Sequence, residues 1–266
     1  MALLNITFPS CSLRRSVSIN ALIPNEINFM PGQEPEYRKE PFRTLYMLHG
    51  YSGDANDYLV FSNLFELCRI YDLAIIFPSG ENSFYLDDED KSELYSRYVG
   101  SELVEFTRSL FHLSDKREDT YIGGLSMGGY GAMVNGLRYA DTFSKIISFS
   151  GAFIEITLAD AKEYKADEVS DEKYQRRVYG DPRKLRKSDK DPRWCMEMLR
   201  AQGKQIPDIY QCCGKDDFLI EPNRRLHEFM EEQNIPHRYE EGEGTHDWAY
   251  WQKHLEPALA WLGEKG

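Results

Sequence analysis

No stretch of this 266-residue chain approaches the ~18 consecutive apolar residues that a bilayer-spanning helix needs, so no membrane-spanning helix is expected. Basic clusters are also missing. The 32 Lys and Arg are scattered among 44 Asp and Glu, and a net charge of −12 repels polyanions, which argues against nucleic acid or an anionic membrane as partner. Cysteine is scarce. Cys11, Cys68, Cys195, Cys212 and Cys213 make an odd set without zinc-like spacing, in a chain too long to need disulfide staples, so no metal is expected and a reducing cytoplasm fits best. Cys212 and Cys213 are strand neighbours that point to opposite faces and read as small buried side chains. The start of the chain has no basic segment before its short apolar stretch, so residues 3–8 read as a first strand, not a signal peptide.

What is present suits one hydrophobic core. Hydrophobic residues make up 41% and aromatics 13% of the chain, and no shift in composition divides it, so a single domain with a decorated loop is expected. Short β-branched or aromatic runs alternate with helix-patterned segments, the pattern of a mostly parallel sheet covered by helices. Residues 44–48, 73–77, 120–125, 145–149 and 209–213 are nearly continuous apolar runs and read as strands buried on both faces. Residues 3–8 and 17–22 alternate more and read as an antiparallel edge. Leu94, Tyr98, Leu103, Phe106 and Leu110 mark one face of a crossover helix, and Trp248, Trp251, Leu255, Leu259 and Leu262 mark a last helix lying on the sheet, with Pro257 expected to disturb it. Residues 155–192 break the pattern with high charge and the stop signal Gly180-Asp181-Pro182. They read as a cap-like insertion over the sheet, with a solvated helical loop as the alternative.

The strongest chemical signal is Gly124-Leu125-Ser126-Met127-Gly128, placed between a strand and a helix. A serine on so sharp a turn needs small neighbours, because the backbone is strained and helix and strand approach closely. Gly128, Gly129, Gly131 and Gly136 weaken the helix that follows, each by about 1 kcal/mol relative to alanine, which implies a packing or catalytic reason. Ser126 is therefore the candidate nucleophile. A serine hydroxyl needs a base to attack an ester at neutral pH. In this strand–turn–helix arrangement the acid and then the histidine follow the serine, which excludes His49 and His112. His227 and His254 lie in helix-patterned segments, and His237 lies at a strand start. His246, in the loop Gly242-Glu243-Gly244-Thr245-His246-Asp247-Trp248, is the candidate base. Gly214-Lys215-Asp216-Asp217-Phe218 offers two acids. Asp217, further into the turn, is chosen over Asp216, and Asp247 is too close to His246 in sequence for good geometry. The oxyanion would be held by the backbone N–H of Met127 and that of Tyr51, in the loop His49-Gly50-Tyr51-Ser52-Gly53, where His49 is expected to hold the loop.

Taken together, these residues resemble the esterase D branch of the α/β-hydrolases, which includes tributyrin and feruloyl esterases and S-formylglutathione hydrolases. The resemblance covers nearly the whole chain. It rests on His49-Gly50, Asn82-Ser83-Phe84-Tyr85, Ser126 through Ala132, Ser150-Gly151, Cys213-Gly214 through Asp217-Phe218-Leu219, and Gly244 through Trp248. It implies an α/β-hydrolase fold of about eight strands and a cofactor-free serine carboxylesterase. The substrate class implied is short acyl or aryl esters, including acetylated or feruloylated sugars, and the Phe-Leu step after Asp217 supports that acid. Tyr85 and Trp248 would contact substrate, although Tyr85 also reads as a core aromatic at a strand end. Formylglutathione hydrolases normally carry a different loop in place of His49-Gly50-Tyr51, so thioesterase activity is the less favoured branch. An acyltransferase using the same three residues, and a binding module that has lost its chemistry, are the remaining alternatives. The oligomeric state is left open, a homo-oligomer included.

Overall fold

The computed structural model describes residues 1–25, 32, 38–166 and 170–264. Among the described residues ten strands form: β1 (Ala2–Ser10), β2 (Arg15–Ile23), β3 (Arg43–Leu48), β4 (Leu73–Pro78), a short hairpin of β5 (Asp87–Asp88) and β6 (Glu93–Leu94), then β7 (Thr120–Leu125), β8 (Lys145–Phe149), β9 (Asp208–Gly214) and β10 (His237–Gly242). Eight of them make one sheet in the order β1-β2-β4-β3-β7-β8-β9-β10. The β1–β2 and β2–β4 pairs are antiparallel, and the pairs from β4 through β10 are parallel. This is the α/β-hydrolase architecture. Alternate residues of a central strand feed opposite layers: Tyr46 and Leu48 of β3 enter one core, and Leu45 and Met47 the other. That two-sided burial is why these strands read as unbroken apolar runs.

Eleven helices are described: α1 (Asp57–Phe61), α2 (Leu64–Ile70), α3 (Tyr95–Arg97), α4 (Leu103–Leu110), α5 (Met127–Arg138), α6 (Ile154–Ala161), α7 (Glu172–Tyr179), α8 (Pro182–Leu185), α9 (Pro192–Ala201), α10 (Ile220–Glu232) and α11 (Trp248–Leu262). The crossover helix is broken by a π turn, Tyr98–Glu102, between α3 and α4. The expected apolar face steps five residues from Tyr98 to Leu103, too many for an α-helical stripe. The Leu103 N–H donates to the Tyr98 carbonyl, and this wider turn restores the face. Leu110, expected on that face, is instead 50% exposed at the end of α4. In α11, Trp251, Leu255, Leu259 and Leu262 are buried as expected, and the helix runs on through Pro257. The five cysteines are free thiols, with Cys212 and Cys213 both buried. No described helix is long and apolar enough to cross a membrane.

The insertion between β8 and β9 folds as α6, α7 and α8, apart from residues 167–169, which lie outside the described residues. It is anchored by a buried ion pair, Arg193 with Asp191, to which Asp160 adds a second carboxylate. Glu155 of α6 is wholly buried, and neither carboxyl oxygen has a hydrogen-bond partner on another described residue. Burial, reinforced by Asp191 and only partly opposed by its own backbone N–H and by Arg193, pushes its pKa well above the ordinary carboxylate range. The folded protein therefore keeps a proton that the unfolded chain releases above about pH 4.5. Stability is unaffected by this group below that pH and falls as pH rises past it, by up to ~1.4 kcal/mol per pH unit. Glu155→Gln should thus raise the melting temperature near pH 8, and the gain should vanish as the pH approaches 4. Melting curves of the two proteins that shift in parallel across that range would refute a neutral Glu155.

Candidate active site

The parallel strands place their carboxyl ends on one rim, and the loops leaving β3, β7, β9 and β10 meet there, where open α/β sheets bind ligands. Ser126 stands between β7 and α5 with φ 54° and ψ −119°, a conformation that costs a non-glycine residue of order 1–3 kcal/mol. Three backbone hydrogen bonds hold it there: its N–H donates to Phe149, and its carbonyl accepts from Ala152 and Tyr130. The flanking glycines are required by close approach. A Cβ on Gly128 would lie 2.1 Å from the Leu48 carbonyl oxygen, and one on Gly124 would lie 2.4 Å from the Gly128 backbone.

His246 comes from the loop between β10 and α11. Its Nε2 lies 2.9 Å from Ser126 Oγ, and its Nδ1 lies 3.0 and 2.9 Å from the two carboxylate oxygens of Asp217. With the Nδ1 proton donated to Asp217, Nε2 is free to accept from the serine hydroxyl. Asp217 is buried, whereas its neighbour Asp216 is exposed. Burial alone would raise the Asp217 pKa, but the hydrogen bond and charge of His246, the Leu219 N–H at 2.8 Å and the Ser150 hydroxyl outweigh it and hold the carboxyl below its usual value. Asp247 is occupied elsewhere: it caps α11, accepting from the Tyr250 N–H and the Thr245 hydroxyl.

The two amides expected as oxyanion donors are that of Met127, at the first residue of α5, and that of Tyr51, on the loop after β3, and among the described residues neither donates to another group of the chain. His49 is buried, and burial lowers its pKa, which keeps the ring neutral. Its Nδ1–H donates to the Gly50 carbonyl at 2.7 Å, and its Nε2 accepts the Gly80 N–H at 2.8 Å, so the ring ties the Tyr51 loop to the loop after β4. Tyr85 corrects an expectation. It is wholly buried and lines no part of the cavity at Ser126; instead its hydroxyl donates to the His49 carbonyl at 3.1 Å, beneath the loop. The tyrosine follows a turn in which Phe84 and Tyr85 both have positive φ, and that turn swings the ring inward.

The cavity at Ser126 has a volume of about 500 Å³ and is walled by Tyr51, Leu125, Phe218, His246, Trp248 and Trp251, among others. Trp248, expected to contact substrate, is on this wall and packs edge-on against Tyr58 and Trp251. Two aromatic neighbours of the imidazole were not anticipated from the sequence: Phe218 at 4.6 Å and Trp251 at 5.0 Å between ring centroids. The Trp251 indole N–H also donates to Ser150 Oγ at 3.0 Å, linking α11 to the support of Asp217. None of the described residues of the insertion lines this cavity. Its Tyr174 packs edge-on against Tyr51 at 5.7 Å and, with Arg177 and Asn82, lines a neighbouring cavity of about 470 Å³.

Comparison with known proteins agrees with this geometry. A family model described as "Putative esterase" matches residues 20–262. The chain is 43% identical over 264 residues to an acetyl esterase of Caldicellulosiruptor saccharolyticus, covering 99% of both chains. Among solved structures it is similar to the substrate-bound fluorophosphonate-binding serine hydrolase F of Staphylococcus aureus, with TM-score 0.84, 27% identity and 99% of both chains covered. It is also similar to an S-formylglutathione hydrolase of the same organism, with TM-score 0.82, 26% identity and 98% of both chains covered.

Proposed function

We infer the reaction from a fixed premise: this chain belongs to the esterase family and is a carboxylic ester hydrolase. The reaction we propose is hydrolysis of short-chain acyl and aryl esters through an acyl intermediate on Ser126. The observation that carries it is the unbroken hydrogen-bond chain from Ser126 Oγ through His246 to Asp217. In the first half, His246 Nε2 takes the hydroxyl proton as Oγ attacks the ester carbonyl. The oxyanion forms against the Met127 and Tyr51 amides, each such donor being worth roughly 3–4 kcal/mol. Collapse breaks the bond to the alcohol oxygen, which leaves with the proton from Nε2. In the second half, water gives its proton to Nε2, attacks the acyl carbonyl and releases the free acid, and Ser126 recovers its proton.

Small oxygen esters are favoured by the 43% identity to a relative described as an acetyl esterase, and the aromatic wall of Phe218, Trp248 and Trp251 suits an apolar acyl or aryl group. A fluorophosphonate should leave one adduct per chain, on Ser126, and an adduct on another residue would overturn the assignment. Across p-nitrophenyl acetate, butyryl and feruloyl esters and S-formylglutathione, kcat/KM should be highest for the short oxygen esters. Preference for the thioester would replace this reading with the S-formylglutathione hydrolase one. With a competing alcohol present, free acid should dominate; mainly transferred ester would make the protein an acyltransferase.

A further inference from the structure

We propose that His227, Glu231 and His237 form a site for one divalent transition-metal ion of the zinc class, which ties α10 to the sheet's edge strand β10. His227 and Glu231 are four residues apart on α10 and so share a face. His237 opens β10 after a turn of only four residues, 233–236. The His227 Nδ1 and His237 Nε2 atoms are 2.7 Å apart, a Glu231 carboxylate oxygen lies 3.9 Å from the same Nε2, and the candidate ligand atoms all fall within 4.8 Å of one another.

The proton positions favour a metal. His237 Nδ1 is 2.8 Å from the Ile235 carbonyl and must donate to it, so in the neutral ring a metal ligand requires, Nε2 carries the lone pair turned toward His227 and Glu231. A histidine ligand usually has its second nitrogen anchored to a carbonyl in this way. The His227 ring is stacked on Tyr239 at 4.1 Å, and the His237 side chain is only 1% exposed, so both imidazoles are already placed. Without metal, His227 fills the gap by donating Nδ1–H to His237 Nε2. Moving that proton to the outer nitrogen of His227 makes Nδ1 a second donor atom for an ion. Bonds of about 2.0–2.1 Å in tetrahedral geometry put the two nitrogens about 3.3 Å apart, so the rings must separate by roughly half an ångström. The Glu231 side chain, 66% exposed, can swing in as third ligand, with water as fourth. Two imidazoles and one carboxylate suit zinc and its late first-row neighbours, whereas calcium and magnesium require oxygen ligands. The site lies at the start of β10, while the loop carrying His246 leaves its other end, so the ion would brace the strand instead of entering the ester chemistry.

The test uses the full chain, stripped with a chelator and titrated with ZnCl2. Calorimetry should show one saturable site, and the melting temperature should rise with zinc concentration, as binding to the folded state alone requires. Co2+ in place of Zn2+ should give the visible absorption of a four-coordinate ion. His227→Gln removes the stacked ring and the partner of His237 Nε2, so its zinc-dependent shift is read against its own metal-free melting temperature, whereas Glu231→Gln alters an exposed side chain and should leave the metal-free melting temperature unchanged. The first should abolish the site and the second should weaken it by roughly tenfold or more. Absence of saturable binding to the wild-type chain, or unchanged affinity in His227→Gln, would overturn the proposal.

Discussion

Ser126→Ala should lower kcat for p-nitrophenyl acetate by roughly 10⁵- to 10⁶-fold, the scale on which loss of a serine nucleophile is felt where serine, histidine and acid act as one unit. The substitution removes a single oxygen. The alanine keeps the Cβ of the serine, so the cost of the positive φ is unchanged, and the three backbone hydrogen bonds of the elbow involve main-chain atoms only. His246 loses one partner but keeps Asp217. The melting temperature should therefore stay within a few degrees of wild type, and the residual rate should reflect the oxyanion amides with His246 acting directly on water. Trace wild-type enzyme would mask so large a loss, so turnover should be read after pretreatment with a fluorophosphonate, which the variant cannot accept at residue 126. Near-normal turnover that survives this treatment would remove Ser126 from the mechanism and with it the acyl-serine intermediate.

The placement of Ser126 was legible because the constraint on it is local and steric. A strand, a serine between glycines and a helix leave one compact solution, and the clashes that a Cβ would make at Gly124 and Gly128 are the physical content of the motif. The central strands were legible for a similar reason, since burial on both faces writes itself as an apolar run. For Tyr85 the sequence left a substrate contact and a core position both open, because it shows that an aromatic follows a strand but not which way the chain turns afterwards. Positive φ at two successive non-glycine residues has no sequence signature, and it decides whether the ring faces the cavity or the underside of the His49 loop. The partners of the imidazole were hidden by distance along the chain. Trp251 belongs to the apolar stripe of α11, and its indole N–H reaches Ser150, which lies 101 residues earlier. The insertion shows the same limit: its charge marked it as irregular, but only the fold reveals that Tyr174 touches Tyr51 while the cavity at Ser126 is walled by other loops.

Asp216 and Asp217 are adjacent in one turn but differ in surroundings, the first exposed and the second buried against His246, and this difference predicts different mutants. Asp217→Asn should reduce kcat by roughly 10⁴-fold. The asparagine can present its NH2 to Nδ1, which moves the imidazole proton to Nε2, where it blocks acceptance from Ser126. The carbonyl alternative still lacks the charge that stabilises the imidazolium formed during attack. Asp216→Asn should change turnover by no more than roughly twofold, since exposed substitutions are usually worth less than about 0.5 kcal/mol. Stability supplies an independent readout. The Asp217 carboxyl is held below its ordinary pKa, so its contribution is present above the unfolded value and is lost as pH falls through the folded one. Asp217→Asn should accordingly be less stable than wild type at neutral pH, with the gap closing in acid below about pH 4. A variant that keeps its activity while losing that pH-dependent stability would make Asp217 a brace of the turn, and the orientation of His246 would have to come from elsewhere.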